Sequence, residues 1–253
     1  MEEESYRLLA DLHRPSRRQG PGGETETRLA IELANLDASA PLEIADIGCG
    51  TGTSTLLLAR ELNAHVTAVD LLPQFTDELQ ARADNAGLSD SIDILVGSMD
   101  ALPFAEGQFD VIWSEGAIYN IGFRRGASDW RRFLKPGGVL AVSEITWTTG
   151  KRPPDLQAYW EAAYPEIGTV SAKVAVLEES GYSPLACFTL PQHCWLENYY
   201  LPLQRSFDGF LERHGHSERA REIVAAEREE IALYQRCGQY YSYGFYIARR
   251  VDS

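Results

Sequence analysis

The feature that most constrains this chain is a short apolar run, residues 42–47, that passes through Asp46 directly into Gly48-Cys49-Gly50-Thr51-Gly52. Behind it stand Leu56, Leu57, Leu58 and Leu62 at helical spacing. The run predicts a buried strand, the glycines a tight turn, and residues 53–62 a helix. Glycines let the backbone approach a ligand with no Cβ in the way. The helix start behind them offers free N–H groups and the positive end of a dipole. Such a turn suits an amino-acid carboxylate as well as a pyrophosphate.

The stretch from residue 65 to residue 143 fixes the fold class. Strands are expected at 65–69, 92–96, 109–113 and 139–143, with helices at 73–86 and 124–134 between them. Pro73 suits a first helical turn and Gly87 a C-terminal cap. Lys135-Pro136-Gly137-Gly138 reads as a sharp turn into the fifth strand. Strands alternating with helices at this spacing imply βαβ units and an α/β, Rossmann-like, doubly wound parallel sheet. A helix at 170–180 and strands at 185–190 and 243–249 complete it. Helices are also expected at 2–13, at 24–36, and as a charged amphipathic pair over 203–236. The chain is therefore read as a single domain, 1–253. Residues 1–41 form an N-terminal helical lid and 42–145 the cofactor-binding core, with helical or aromatic cap inserts at 146–168 and 191–240.

Composition limits the partners. The formal net charge of −14 argues against nucleic acid, whose affinity comes from Lys and Arg neutralising phosphates. Arg14, Arg17 and Arg18 read as a solvated turn, and the run 218–230 as a solvated helix face. No apolar run approaches the ~20 residues of a membrane helix, and the start Met-Glu-Glu-Glu has the wrong charge for a signal peptide. The four cysteines, Cys49, Cys187, Cys194 and Cys237, form no CxxC pair. They read as reduced thiols of a cytoplasmic protein. His214-Gly215-His216 reads as a helix junction, and no metal is expected.

Companions of the glycine turn sharpen its meaning. Asp70 closes the second strand, where a carboxylate can accept both ribose hydroxyls of an adenosine. The turn lacks the closing spacing of the dinucleotide fingerprint. Gly97-Ser98-Met99-Asp100-Ala101-Leu102-Pro103-Phe104 comes directly after the third strand. The residues alone leave open an NAD-dependent oxidoreductase or a non-catalytic cofactor-binding protein.

IADIGCGTG, AVDL, GSMDALPF, FDVIWSEGAIYN and FLKPGGVLAVSE stand in an order and spacing that resembles the class I S-adenosylmethionine-dependent methyltransferases. The group most similar is the ubiquinone/menaquinone methyltransferase-like small-molecule branch. The resemblance is strong over 42–145. It implies a seven-stranded sheet with an antiparallel last strand, S-adenosyl-L-methionine as cofactor, and a small-molecule methyl acceptor as partner, and it admits a homodimer. By matching position, it implies that Asp46 and Gly48 lie by the methionine part, with Gly50 and Gly52 shaping the turn. Asp70 would hold the ribose, Leu71 would lie against the adenine, and Ser98, Met99 and Asp100 would edge it. Glu115 would face the sulfonium. Many relatives have Asp where Ser98 stands, which puts the role of Asp100 in question.

Ligands of open parallel sheets lie beyond the C-terminal ends of the strands. The turn at Gln19 and Gly20 is expected to close over the cofactor. Glu115, Glu144 and His193 are the candidate general bases, with Tyr119 and Asn120 as orienters. Trp147, Tyr159, Trp160, Tyr164, Trp195, Tyr199 and Tyr200 are expected to make the cavity over the methyl group aromatic.

Overall fold

The computed structural model describes residues 2–37 and 39–251. Met1, Ala38, Asp252 and Ser253, part of the expected 1–253 domain and its lid, lie outside the described residues. The chain opens with α1 (Glu2–His13) and α2 (Glu24–Ala34) and then alternates: β1 (Leu42–Ile47), α3 (Thr53–Glu61), β2 (Ala64–Asp70), α4 (Pro73–Ala86), β3 (Ile92–Val96), β4 (Phe109–Glu115), α5 (Phe123–Trp130), β5 (Leu134–Trp147). It continues with α6 (Pro154–Ala163), β6 (Gly168–Thr169), α7 (Val170–Glu179) and β7 (Tyr182–Thr189). A helical run comes next: α8 (Gln192–Trp195), a π-helical segment (Leu196–Tyr200) and α9 (Leu201–Arg213). The chain ends with α10 (Glu218–Cys237) and β8 (Tyr241–Arg250).

The sheet order is β3-β2-β1-β4-β5-β8-β7, with the two-residue β6 paired to β5 beside that path. Strands β1 to β5 are mutually parallel. The last strand, β8, lies between β5 and β7 and runs antiparallel to both. Its register carries Val139 against Arg249 at one end and Trp147 against Tyr241 at the other. The expected mostly parallel α/β sheet with an antiparallel last strand is therefore the fold. The turn expected at 135–138 falls inside the range of β5 as a break in pairing: Leu134 pairs with Phe109 and Val139 with Val111, and Gly137 between them has φ +74°.

Alternation along the strands sends side chains to two cores. Ile44, Val111, Trp113, Ala141 and Phe245 pack on one face with α1 to α4, α9 and α10. Ala45, Ile112, Leu140, Val142 and Tyr246 pack on the other with Phe123, Trp130 and Leu177 of α5 and α7. Sheets covered on both faces need strands that are apolar almost throughout, and β5 is buried from Val139 to Trp147. Local signals agree with the elements. Pro73 sits in the first turn of α4, and Gly87 ends that helix with φ +67°. Ser217 caps α10 by accepting from the Ala220 amide at 3.3 Å.

Aromatic residues expected to form a cage mostly build core. Trp195 stacks on Tyr234 at 4.5 Å and meets the edges of Tyr241 and Tyr243. Trp160 packs on Tyr241, and Trp147 is buried beneath Arg152. Burying large apolar area is what these rings do best, and the insert at 146–168 sets Trp160 against the sheet while Tyr159 stays 45% exposed.

Candidate active site

A cavity of about 560 Å³ opens at the C-terminal ends of β1, β2 and β4. Its floor is the glycine turn, with Gly48, Cys49 and Gly50 on the wall. All three turn glycines have positive φ: +77° at Gly48, +56° at Gly50 and +85° at Gly52. A Cβ at Gly48 would collide with Ala117, and one at Gly50 with the Gln19 side chain. Gly52 stands back from the cavity; a Cβ there would strike Leu79 of α4.

The turn does not present the free amides expected of it. Gly48 N and Cys49 N donate to Val69 O, Gly50 N to Asp70 Oδ2, Thr51 N to Gln19 Oε1 and Gly52 N to Cys49 O, all at 2.8 to 3.0 Å. The turn is thus preorganised by the protein and offers a ligand its shape. Asp46 is also away from the cavity. It is completely buried, and its Oδ2 accepts from Ser54 Oγ at 2.8 Å and Thr55 Oγ1 at 2.7 Å, tying β1 to the first turn of α3. Burial pushes its carboxyl up to about 7.

Asp70, Leu71, Ser98, Met99 and Asp100 do line the cavity, on the wall made by the ends of β2 and β3. Asp70 accepts from Leu72 N at 3.0 Å through Oδ1 as well as from Gly50 through Oδ2. Each oxygen keeps a lone pair for a further donor. Desolvation raises its carboxyl above the usual range. Leu71 is 57% exposed, an apolar surface at the cavity mouth. Asp100 pairs with Arg125 at 2.7 Å and accepts from Ser98 Oγ at 3.3 Å.

The N-terminal segment closes the other side. Gln19 and Gly20 line the cavity, and Gln19 anchors its turn by donating to Ser16 O at 2.9 Å. Arg17 and Arg18 line it too, so this turn is not merely solvated. Arg18 meets Glu115 at 2.6 Å, with side chains only 10% and 8% exposed. Glu115 also accepts from Thr27 Oγ1 at 2.7 Å and Trp113 Nε1 at 3.0 Å. A carboxylate held by three donors is a clasp, and its lone pairs are largely committed.

Tyr119 and Asn120 line the cavity from the turn after β4. Two of the candidate bases do not. Glu144 is buried beneath the sheet end and pairs with Lys173 at 3.1 Å, with exposures of 0% and 3%. Desolvation raises the Glu144 carboxyl and lowers the Lys173 ammonium. His193 lies on the outer side of α8, half exposed, with Nε2 3.3 Å from Glu26 Oε1. Neither reaches the cavity, so both are removed as candidate bases.

Tyr199 of the π-helical segment, one of the aromatics expected over the methyl group, lines the wall. Tyr6 and His13 of α1 and Glu227 and Glu230 of α10, which the sequence did not single out, complete it. His13 Nε2 is 3.3 Å from Glu227 Oε1, while Glu227 Oε2 and His13 Nδ1 are buried without a partner. Glu230 accepts from Tyr200 OH at 2.9 Å. Burial, then the neighbouring Glu227, raises its carboxyl. The run 218–230, expected to be a solvated face, therefore places two carboxylates at the cavity. One signal in the sequence pointed there. Ile223, Val224, Glu227, Glu230, Ile231 and Tyr234 fall on one helical stripe, and both glutamates sit inside an otherwise buried apolar face.

Residues 44–138 match the family model of the methyltransferase domain. Over 124 residues the chain is 33% identical to a probable chloroplastic tocopherol O-methyltransferase of Oryza sativa subsp. japonica, covering 48% of this chain and 34% of that one. It is 25% identical over 185 residues to an O-methyltransferase of Pyrenophora dematioidea, covering 69% of each. Several of the curated relatives are spanned over less than half of their length. The fold is shared over nearly the whole chain with a methyltransferase from Geobacter sulfurreducens solved with S-adenosyl-L-homocysteine. The TM-score there is 0.83 at 20% identity, with coverage of 96% and 97%. Residues 44–138 are thus similar to a methyltransferase domain, and the chain as a whole shares the Rossmann-like fold of the Geobacter protein. Among the described residues no helix is long and apolar enough to cross a membrane.

Proposed function

We propose that this chain is an S-adenosylmethionine-dependent methyltransferase acting on a small acceptor, and that the acceptor presents a basic amine. One observation carries the reading: a single cavity is lined both by the glycine turn with Asp70 and by two α10 carboxylates with tyrosines. When bound, S-adenosylmethionine supplies a methyl group on a sulfonium sulfur, open to in-line displacement.

The residues fit such a cofactor. The positive-φ glycines set Gly48 and Gly50 of the turn against the cavity, and the lone pairs left on Asp70 suit a ribose diol. Arg17 supplies positive charge for the methionine carboxylate, since Arg18 is committed to Glu115. Leu71 and Met99 give the adenine apolar flanks. We keep Ser98 and Asp100 as adenine-edge residues.

Glu227 and Glu230 on the same cavity wall attract a cationic acceptor, and the rings of Tyr119 and Tyr199 flank it. An amine attacks only as the free base. A Glu230 oxygen, its affinity for protons raised by burial, accepts the proton that the nitrogen must lose. Tyr119 and Asn120 orient the acceptor. Alignment in a closed cavity is worth up to ~7–11 kcal/mol in ideal intramolecular systems. We read residues 1–41 as the lid, the insert 191–240 as the second half of the roof, and the cytoplasm as the compartment, since all four cysteines are free.

Two measurements test this. Calorimetry should show binding of S-adenosylhomocysteine and none of NAD; the reverse would overturn the cofactor. A methyl-labelled screen of a metabolite extract should return products carrying the label on nitrogen. Glu230→Gln should raise KM for those amines while binding of S-adenosylhomocysteine is unchanged. Label on oxygen or carbon alone would overturn the amine acceptor and leave methyl transfer standing.

A further inference from the structure

Outside the cavity, one side-chain cluster has no role in methyl transfer. Glu26 of α2 and the neighbouring His193 and Cys194 of α8 bring a carboxylate oxygen, an imidazole nitrogen and a sulfur within 4.8 Å of one another. His193 Nε2 is 3.3 Å from Glu26 Oε1 and 3.7 Å from Cys194 Sγ. We propose that these three residues form a binding site for one zinc-type transition-metal cation, which clasps the N-terminal lid to the C-terminal insert.

The spacing fits that ligand. Four-coordinate zinc holds nitrogen and oxygen at about 2.0–2.1 Å and thiolate sulfur at about 2.3 Å. Tetrahedral angles then put N and O about 3.3–3.4 Å apart, and N and S about 3.6 Å apart. Nε2 can donate to Glu26 or accept from the Cys194 thiol, but not both, and the thiol can turn instead to Glu26. Glu26 is 8% exposed, and its buried Oε2 makes no other hydrogen bond. A cation would engage all three groups at once in place of these alternatives.

Charge also balances. A divalent cation with one thiolate and one carboxylate is neutral, and the nearby Arg18 and Glu115 cancel each other. On binding, the Cys194 S–H bond breaks, a metal–sulfur bond forms, and the proton leaves to solvent. No electron transfer is involved. Cys194 is buried, and the half-exposed His193 gives the entry path and leaves the fourth position to water.

The site would act on the lid. Gly22 N donates to Cys194 O at 3.4 Å, and Asn198 Nδ2 donates to Gly22 O at 2.8 Å. The turn that reaches the cavity at Gln19 and Gly20 is thus already laid on α8, and a cation bonded to Glu26 and Cys194 fastens the same seam. The ligands come from positions 26, 193 and 194, a separation no metal motif in the sequence reveals.

The test uses the whole chain dialysed against excess Co²⁺ and, separately, Zn²⁺, then desalted. One equivalent of either metal should remain. The Co²⁺ form should show intense visible bands of four-coordinate cobalt and a near-ultraviolet thiolate-to-cobalt band. Cys194→Ser should abolish the thiolate band, and His193→Ala, an exposed change that leaves the fold intact by circular dichroism, should reduce retention to background. Cys187→Ser, at an exposed thiol, should match the parent. Failure of the parent chain to retain either metal would overturn the site, as would equal retention by His193→Ala or a thiolate band that survives Cys194→Ser.

Discussion

Arg18 and Glu115 lie 97 residues apart and meet at 2.6 Å, joining the N-terminal turn to the end of strand β4. Both side chains are nearly buried, so the pair cannot be treated as a surface ion pair.

Removing one partner should therefore be expensive. Arg18→Ala leaves Glu115 charged and short of a donor and should cost about 3 kcal/mol of stability. Arg18→Ala combined with Glu115→Gln should cost less than the sum of the two single changes by more than about 1 kcal/mol. Urea unfolding of the four proteins measures this. Additive effects would mean that the pair is not coupled.

Asp70 should govern cofactor affinity. Asp70→Ala removes a charged acceptor, and hydrogen bonds to charged groups are worth about 1.5–3 kcal/mol. Calorimetry with S-adenosylhomocysteine should show binding weaker by about 10- to 100-fold, with circular dichroism unchanged. The same change frees the Gly50 and Leu72 amides, so a small fall in melting temperature should accompany it. Unaltered affinity would remove Asp70 from the site.

Asp46 should make stability fall as pH rises. Its carboxyl sits at about 7 in the folded chain against 3.8 unperturbed. Between those values the folded state binds the extra proton, so its contribution is fullest below about 3.8 and is lost as pH rises through about 7. The total is on the order of a few kcal/mol. Asp70, raised in the same direction, adds to the slope. Asp46→Asn keeps an acceptor for Ser54 and Thr55 and should flatten the profile between roughly pH 4 and pH 7, read by urea unfolding. An unchanged slope would show that Asp46 is not the titrating group.

Lys173→Met should unfold the chain far more readily than its size suggests. It strands Glu144, and breaking a buried pair costs about 3–5 kcal/mol. Glu144→Met with Lys173→Met should recover most of that loss, because an apolar pair needs no compensation for desolvation. Thermal melts of the single and double variants decide it. If the double variant were as weak as the single, packing rather than charge would be responsible.

The cofactor half of the site was legible because its residues lie within a few positions of strand ends. Gly48, Gly50, Asp70 and Met99 each come directly after a strand or close it, and local pattern locates them. The acceptor half was not. Arg18 stands in an arginine- and glycine-rich turn that reads as solvated, and only its contact with Glu115 shows otherwise. Glu227 and Glu230 sit in a run of glutamates and arginines, and what distinguishes them is position on the apolar stripe of α10. Glu144 lies near the end of β5 where a catalytic carboxylate is often placed, yet Lys173 of a later helix claims it. The free amides expected of the glycine turn were taken by Val69, Asp70 and Gln19, two of them through side chains whose approach no spacing rule gives.

The position of β8 has a bearing on how the chain is made. Strand β7 touches the rest of the sheet only through β8, whose first residue emerges some fifty positions later. On a ribosome, β1 to β5 can pair as they appear, while β7 must wait with one edge open. The roof of the cavity waits as well, because α1 rests on α9 and α10 and is held there by Asp11 with Arg213 and His214. A chain stalled before residue 241 would therefore present an unsealed sheet edge and a half-roofed cavity, a species suited to capture by a chaperone.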